Sequence, residues 1–319
     1  MKHNKQEIHR KFKKEDFENN PEKFIQHFRY GFNPHTGNLG ILPLLNFEKA
    51  IIKHMHNNTY SLINKSRQMH LSSIMAAYMA WNLIYKKNFF ILGIFPSLSQ
   101  GAHFKQTILY TINNLPPEIL NKDEILLNNK KELLINNNKF QIISTHSVPF
   151  KAQSVDMLVF DESEFIKDLD RIFSCFMMLL KETRKIIMTS TPNYKGSFFE
   201  RCYRAVSTKK QHFSSLDVHW SINPHYNKGL KTARDKDGND TLTSPWYEQQ
   251  KIRYNYIQEA IDSELNLKFK NPPENKTKTI SLRLETTLLD EVEKKLFTTN
   301  DMNISKYIRT LIENDLKNS

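Results

Sequence analysis

The chain has 319 residues and a net charge of +12, with 39% hydrophobic and 25% charged residues, enough for one or two domains with a real core. Its only two cysteines, Cys175 and Cys202, exclude a disulfide framework or a cysteine zinc site and suit a reducing compartment. No apolar run reaches the roughly 18–20 residues of a membrane span, and a pI near 9.4 points to a polyanionic partner.

Residues 1–22 read as a basic, polar arm without the apolar stretch of a secretion signal, with order beginning near Phe24. Gly31, Pro34, Gly37 and Gly40 mark a turn-rich stretch, and 47–56 has helical spacing with Phe47, Ile51, Ile52 and Met55 on one face. A short strand at 60–63, a polar loop and a helix at 72–85 follow. Residues 89–95 have the length of a buried strand, 106–114 reads as helix, and the Asn-rich 121–139 as a hairpin or loop excursion. Strands are expected at 140–144, 157–160 and 186–189, with a helix at 172–180. Alternating short strands and helices predict an α/β fold with a mainly parallel sheet. Residues 221–245 read as loop and 246–265 as one or two helices. The tandem prolines of Asn271-Pro272-Pro273-Glu274-Asn275-Lys276 form the clearest linker, followed by a separate pattern at 277–319.

Three segments carry the chemistry. The first is Lys65-Ser66-Arg67-Gln68-Met69-His70-Leu71-Ser72-Ser73, between a strand and a helix start, where free N–H groups and the helix dipole attract phosphate. Against the standard G-x-x-x-x-G-K-[ST] pattern registered on Ser72, Leu71 stands at the lysine, His70 at the second glycine and Lys65 at the first. The second is the apolar run 157–160 ending in Asp161-Glu162, a place for one carboxylate to hold Mg²⁺ and another to activate water. The third is Ser190-Thr191-Pro192-Asn193, where hydroxyls close a strand and could sense a γ-phosphate.

In this order, with Ala77 to Trp81, the lead-in Pro21, Phe24, Ile25, His35, Gly37, Leu45 and Phe47, and Ser244-Pro245-Trp246-Tyr247-Glu248 before Glu264-Leu265, the segments resemble the ATPase domain of phage terminase large subunits. The resemblance covers about residues 20–268 and implies a P-loop NTPase-like sheet flanked by helices. The displaced-lysine pattern K-x-R-Q-x-G-x-[ST]-[ST] of that family fits 65–73 except at His70. It implies ATP and Mg²⁺, with Lys65 through Ser73 on the nucleotide and Ser72 and Asp161 on the metal. Glu162 would be the catalytic carboxylate, Arg67 an arginine acting in cis on the transition state, and Ser190 and Thr191 the coupling motif. Three positions depart from the family: His70 for a glycine, Lys151-Ala152 for Arg-Gly, and Glu48 for the glutamine that reads adenine. The resemblance stops near Phe269, and the remaining residues are too few for the family's usual nuclease domain. Asp235, Asp237 and Asp240 read as a solvated turn rather than a catalytic cluster, so no nuclease is expected.

At the C-terminus, Ile280, Leu282 and Leu284 alternate with Thr279, Ser281 and Arg283, and helical spacings follow at 287–297 and 304–312. This resembles the ribbon-helix-helix family, and implies a homodimer whose ribbon enters the major groove of double-stranded DNA. Thr279, Ser281 and Arg283 would meet base edges, and Ser305 and Lys306 a phosphate. Residues 276–319 hold 8 Lys and Arg against 7 Asp and Glu, so the basic excess lies upstream. The alternative to DNA binding is a small dimerisation tail without DNA readout. His54, His56 and His70 read as surface histidines, Met177 to Leu180 as core, and Lys11, Lys13, Lys14, Lys209 and Lys210 as solvated charge.

The domain plan is therefore an arm at 1–22, a terminase-like ATPase domain at 23–270, a linker at 271–276 and a ribbon-helix-helix module at 277–319. Two functions fit: a DNA-packaging ATPase lacking the nuclease, or a weakened or inactive DNA-binding regulator that redirects or blocks packaging. The resemblance also implies portal or procapsid and other terminase subunits as partners, no membrane, and the cytoplasm of an infected bacterium.

Overall fold

The computed structural model describes residues 12–272, apart from 34–35, 145–153, 178–179, 208–212, 235–237 and 239, together with residue 314. The chain divides into two units, Met1–Pro272 and Pro273–Ser319. The C-terminal pattern, with Thr279, Ser281, Arg283, Ser305 and Lys306, lies outside the described residues, as do Lys151-Ala152, Asp235 and Asp237.

In chain order the first unit begins with α1 (Pro21–Phe28), β1 (Tyr30–Asn33), β2 (Asn38–Ile41), α2 (Asn46–Asn57), β3 (Tyr60–Lys65) and α3 (Leu71–Tyr85). It continues through β4 (Phe90–Phe95), α4 (Leu98–Asn113), β5 (Ile125–Asn128), β6 (Glu132–Ile135), β7 (Asn138–Ser144), β8 (Val155–Phe160), α5 (Leu169–Met177) and β9 (Leu180–Ser190). It closes with α6 (Phe198–Ser207), β10 (Phe213–Val218), β11 (Lys231–Arg234), β12 (Asp240–Thr243), α7 (Pro245–Arg253) and α8 (Gln258–Glu264).

Eight strands form one sheet in the order β10-β3-β9-β8-β4-β7-β6-β5. From β10 to β7 every neighbouring pair is parallel, and β6 and β5 extend that sheet as an antiparallel edge. The fold is thus α/β and P-loop NTPase-like. Strand alternation explains its two layers of core. On β8, Met157 and Val159 face the side packed by α1 to α4, while Leu158 and Phe160 face α5 and α6. Strands covered on both faces read as near-continuous apolar runs, as β4 does throughout and β8 does from Met157 to Phe160. Helix α3 is buried from Ile74 to Leu83, so it crosses the core and fixes where its N-terminus emerges. Close approach sets α4 against β4 and β7: a β-carbon on Gly101 would collide with Ile142 and stand 2.9 Å from Phe95 Cδ2.

Four expectations need correction. Residues 12–22 are not a loose arm. Phe17 is fully buried, its carbonyl accepts from Trp81 Nε1 at 2.8 Å, and Phe12 packs on the same core. Two aromatic anchors outweigh the surrounding charge. Helix α4 starts at Leu98 rather than 106, because the Ser97 hydroxyl accepts from Gln100 N and opens it. Helix α5 ends at Met177 and β9 begins at Leu180, so the strand is longer than 186–189. The loop at 221–245 contains the hairpin of β11 and β12. In the turn-rich 31–40 region, β1 and β2 pair as a two-stranded ribbon.

Candidate nucleotide site

The register brings three strand ends to one level. Ile63 of β3 lies opposite Thr189 of β9, and Phe160 of β8 opposite Met188 of β9. Lys65, Asp161 and Ser190 therefore meet at the carboxyl edge, where open parallel sheets bind ligands.

The loop between β3 and α3 is held from outside. Ser66 N donates to Val218 O at 2.9 Å, and the Ser66 hydroxyl donates to Leu265 O at 2.6 Å while accepting from Trp220 N at 2.9 Å. Arg67 N donates to Glu264 O at 2.7 Å, and the Tyr226 hydroxyl donates to Gln68 O at 2.8 Å. Met69 and Leu71 turn into the core, leaving Arg67, Gln68 and His70 exposed above it. Gln68 and His70 both adopt left-handed backbone, with φ of +63° and +55°. His70 thus keeps a glycine-like backbone despite its side chain. Its carbonyl accepts from Ser73 N and Ile74 N, and so starts α3.

Beneath the loop lies a buried oxygen cluster. Asp161 Oδ2 accepts from the Ser72 hydroxyl at 2.8 Å, and Oδ1 from the Thr189 hydroxyl at 2.7 Å. Burial, and then the neighbouring Glu162, raise the Asp161 pKa above the usual carboxylate range, against the pull of Lys65, Thr189 and Ser72. A buried carboxylate flanked by hydroxyls suits a small hard cation such as Mg²⁺. Among the described residues no three His, Cys, Asp or Glu side chains gather as a protein-only metal cage. Lys65 Nζ donates to Glu162 Oε1 at 2.8 Å, so the loop's cation and the second carboxylate neutralise each other. Glu162 itself has left-handed backbone, φ +54°, which turns it off the strand end.

Arg67 pairs with Glu264 at 3.0 Å, and that contact raises its pKa further. The Ser190 hydroxyl accepts from Glu164 N at 3.2 Å, and Thr191 Oγ1 is buried with no hydrogen-bond partner among the described residues. Burial pushes the Glu164 carboxyl up to about 7, although the Ser197 hydroxyl donates to it at 2.7 Å. Lys65, Arg67, Gln68, His70, Ser72, Asp161 and Glu162 line a cavity of about 1200 Å³ that Trp246, Gln250 and Arg253 face from α7. Ser66 is fully buried and serves as an anchor rather than a lining residue, while Ser73 lines the cavity.

Sequence reasoning missed Thr189 as the second hydroxyl on Asp161, and the clamps Trp220, Tyr226 and Glu264 on the loop. A strand-ending Thr opposite an acidic strand end was the one available signal for Thr189. Glu48 is 2% exposed, so the structure withdraws it from solvent into an ion pair with Arg29 at 3.0 Å. His54 Nε2 lies 3.0 Å from Ser214 O, and burial lowers its pKa. It is half-buried, not a free surface group.

No protein-family model matches the sequence, and no curated protein matches it. Solved structures do. The large terminase of bacteriophage HK97 is similar with a TM-score of 0.57 at 14% identity, over 77% of this chain and 54% of that one. The ATPase domain of the large terminase of Thermus phage P74-26 gives 0.52 at 14% identity, over 71% of this chain and 94% of that domain. The fold is that of a large-terminase ATPase domain. The large terminase of another thermophilic bacteriophage, in complex with ADP, gives 0.50 at 9% identity, over 70% of this chain and 53% of that one. The chain spans about half the length of the HK97 protein and of this ADP-bound terminase. No helix among the described residues is long and apolar enough to cross a membrane.

Proposed function

We propose that this chain is a terminase-like DNA-packaging ATPase that grips double-stranded DNA through its own C-terminal ribbon-helix-helix dimer. The observation that carries the reading is the convergence of Lys65, Ser72, Asp161 and Glu162 at the sheet's carboxyl edge, within a terminase-like fold. Lys65 meets the phosphates, which frees Glu162 from the 2.8 Å ion pair. Glu162 then orients a water in line with the γ-phosphorus. The water oxygen bonds to phosphorus as the bond to the bridging oxygen breaks, and the released proton passes to the Glu162 carboxylate. Ser72 and Asp161 would hold Mg²⁺. When bound, the ion supplies positive charge that offsets the charge on the phosphate oxygens. Arg67 leaves Glu264 to stabilise that charge in cis. Thr191, with its unpartnered hydroxyl, and Ser190 pass the loss of phosphate to the neighbouring elements. In the C-terminal module Thr279, Ser281 and Arg283 read bases, and Ser305 and Lys306 hold a phosphate. Portal or procapsid and other terminase subunits are the protein partners of this reading, in the cytoplasm of an infected bacterium.

A second reading, a DNA-binding regulator that does not hydrolyse ATP, is favoured by the imidazole of His70 at a backbone position shaped for glycine. DNA-stimulated phosphate release from the full chain, compared with Glu162→Gln and Lys65→Ala, separates the two. Loss of at least about a hundredfold in both variants supports the ATPase, within the range that proton-transfer groups contribute. Equal background rates in all three proteins favour the regulator.

A further inference from the structure

On the loop side of the nucleotide cavity, Lys65 and Arg67 are each tied to a carboxylate, Glu162 at 2.8 Å and Glu264 at 3.0 Å. Another wall is α7, which presents Trp246, Gln249, Gln250 and Arg253 to the same cavity. These positions fall at i, i+3, i+4 and i+7, one face of a helix. The clamps on the phosphate loop also seat that face. Trp246 stacks on Tyr226 with ring centroids 3.9 Å apart and planes 7° from parallel, and Tyr247 stacks on Trp220 at 4.8 Å and 13°. Tyr226 and Trp220 are the residues that bond Gln68 O and the Ser66 hydroxyl. The Ser244 hydroxyl accepts from Tyr247 N at 3.1 Å, which opens α7, and donates to Tyr226 O at 2.7 Å. Loop and helix are thus braced by the same two aromatic stacks.

Arg253 differs from the other cations nearby. It is exposed, and among the described residues no carboxylate lies within salt-bridge distance of it. Lys251, two residues earlier and off the cavity face, is paired with Glu248 at 2.9 Å. Burial, and then Glu264, raise the Tyr254 hydroxyl pKa, while the Arg67 and Arg253 guanidiniums both pull against them. The two arginines therefore flank one phenol. A guanidinium that faces a cavity without a counter-ion favours an anion there, and its planar fork matches the oxygens of a phosphate. The inner phosphates of a nucleotide fall to the N–H groups of the loop. Arg253, beside Arg67 and on the same cavity as Glu162, falls to the outermost one.

We propose that Arg253, carried on α7, is a second guanidinium for the γ-phosphate and makes the site favour a nucleoside triphosphate over a diphosphate. This rests on the phosphate-loop reading above.

The test is calorimetric titration of the full chain with ATP and with ADP, each with Mg²⁺, repeated on Arg253→Ala, Arg253→Lys and Lys251→Ala. Arg253→Ala should weaken ATP by at least about tenfold and move ADP by less than about threefold, since only the triphosphate reaches the lost guanidinium. Arg253→Lys, which keeps the charge without the fork, should fall between wild type and the alanine variant for ATP. Lys251→Ala should bind both nucleotides as wild type does. An Arg253→Ala protein that binds ATP as wild type does overturns the assignment, and so does one that loses ATP and ADP equally. A loss of ATP in Lys251→Ala equal to that in Arg253→Ala also overturns it, because the effect would then be one of overall charge. If wild type binds neither nucleotide, the phosphate-loop reading falls and takes this assignment with it. Wild-type binding of both nucleotides that Arg253→Ala leaves untouched removes the assignment alone.

Discussion

Replacing His70 by glycine tests the shape of the phosphate loop. His70 sits at φ +55°, where a β-carbon crowds the following carbonyl at roughly 1–2 kcal/mol. Glycine removes that strain but gives the unfolded chain extra freedom worth about 0.4–1 kcal/mol. The net expectation is that His70→Gly is more stable than wild type by about 0.5–1 kcal/mol. His70→Ala keeps the β-carbon and so should fall below the glycine variant by about 1 kcal/mol. Urea unfolding followed by circular dichroism reads this as a shift in midpoint at constant slope. In the same variants, tripolyphosphate should bind His70→Gly severalfold more tightly than His70→Ala, because phosphate can approach backbone that has no side chain over it. Equal stability and equal affinity for the two variants would refute the argument that the backbone there is shaped for glycine.

Other expectations follow from the same geometry. Ser66→Ala leaves the Leu265 carbonyl and the Trp220 N–H without their buried partner, and should lower stability by about 2–4 kcal/mol in urea unfolding. Gly101→Ala drives a β-carbon into Ile142 and Phe95 and should lower stability by about 1–3 kcal/mol in the same assay. Glu164→Gln probes pH. With the folded carboxyl raised from 4.5 to about 7, its contribution is fully present below pH 4.5 and lost as pH rises through 7. The glutamine variant should therefore gain on wild type between those values, by on the order of 2–3 kcal/mol at pH 8. Unfolding free energies across pH 4–8 check this, and a constant difference would contradict it.

Much of the fold was legible because its strands are buried on both faces. The uninterrupted apolar runs of β4 and of residues 157–160 in β8, and the polar loop between β3 and α3, are signals that tertiary context does not overrule. The boundaries of α4 and α5 were less so. Ser97 caps α4 ahead of the region with clear helical spacing, and a weak run after Met177 reads equally as helix or strand. Phe12 and Phe17 were hidden because local charge says nothing about a distant groove beside Trp81. At the site, Asp161-Glu162 announced itself by following an apolar strand. The pairings of Lys65 with Glu162 and of Glu48 with Arg29 did not, since each joins residues that only the fold brings together. Nor does any residue identity announce the positive φ of Gln68 and His70. Sequence showed that a glycine was missing, and the structure shows that its backbone shape remained.

On this reading the loop after β3 still wraps a triphosphate with Lys65 at its leading edge. Calorimetric titration of ATP with Mg²⁺ into the full chain, beside Lys65→Ala, tests it most directly. Wild type should show one saturable site per chain, weakened at least tenfold in the variant. No heat at millimolar nucleotide, or the same isotherm from both proteins, would contradict it.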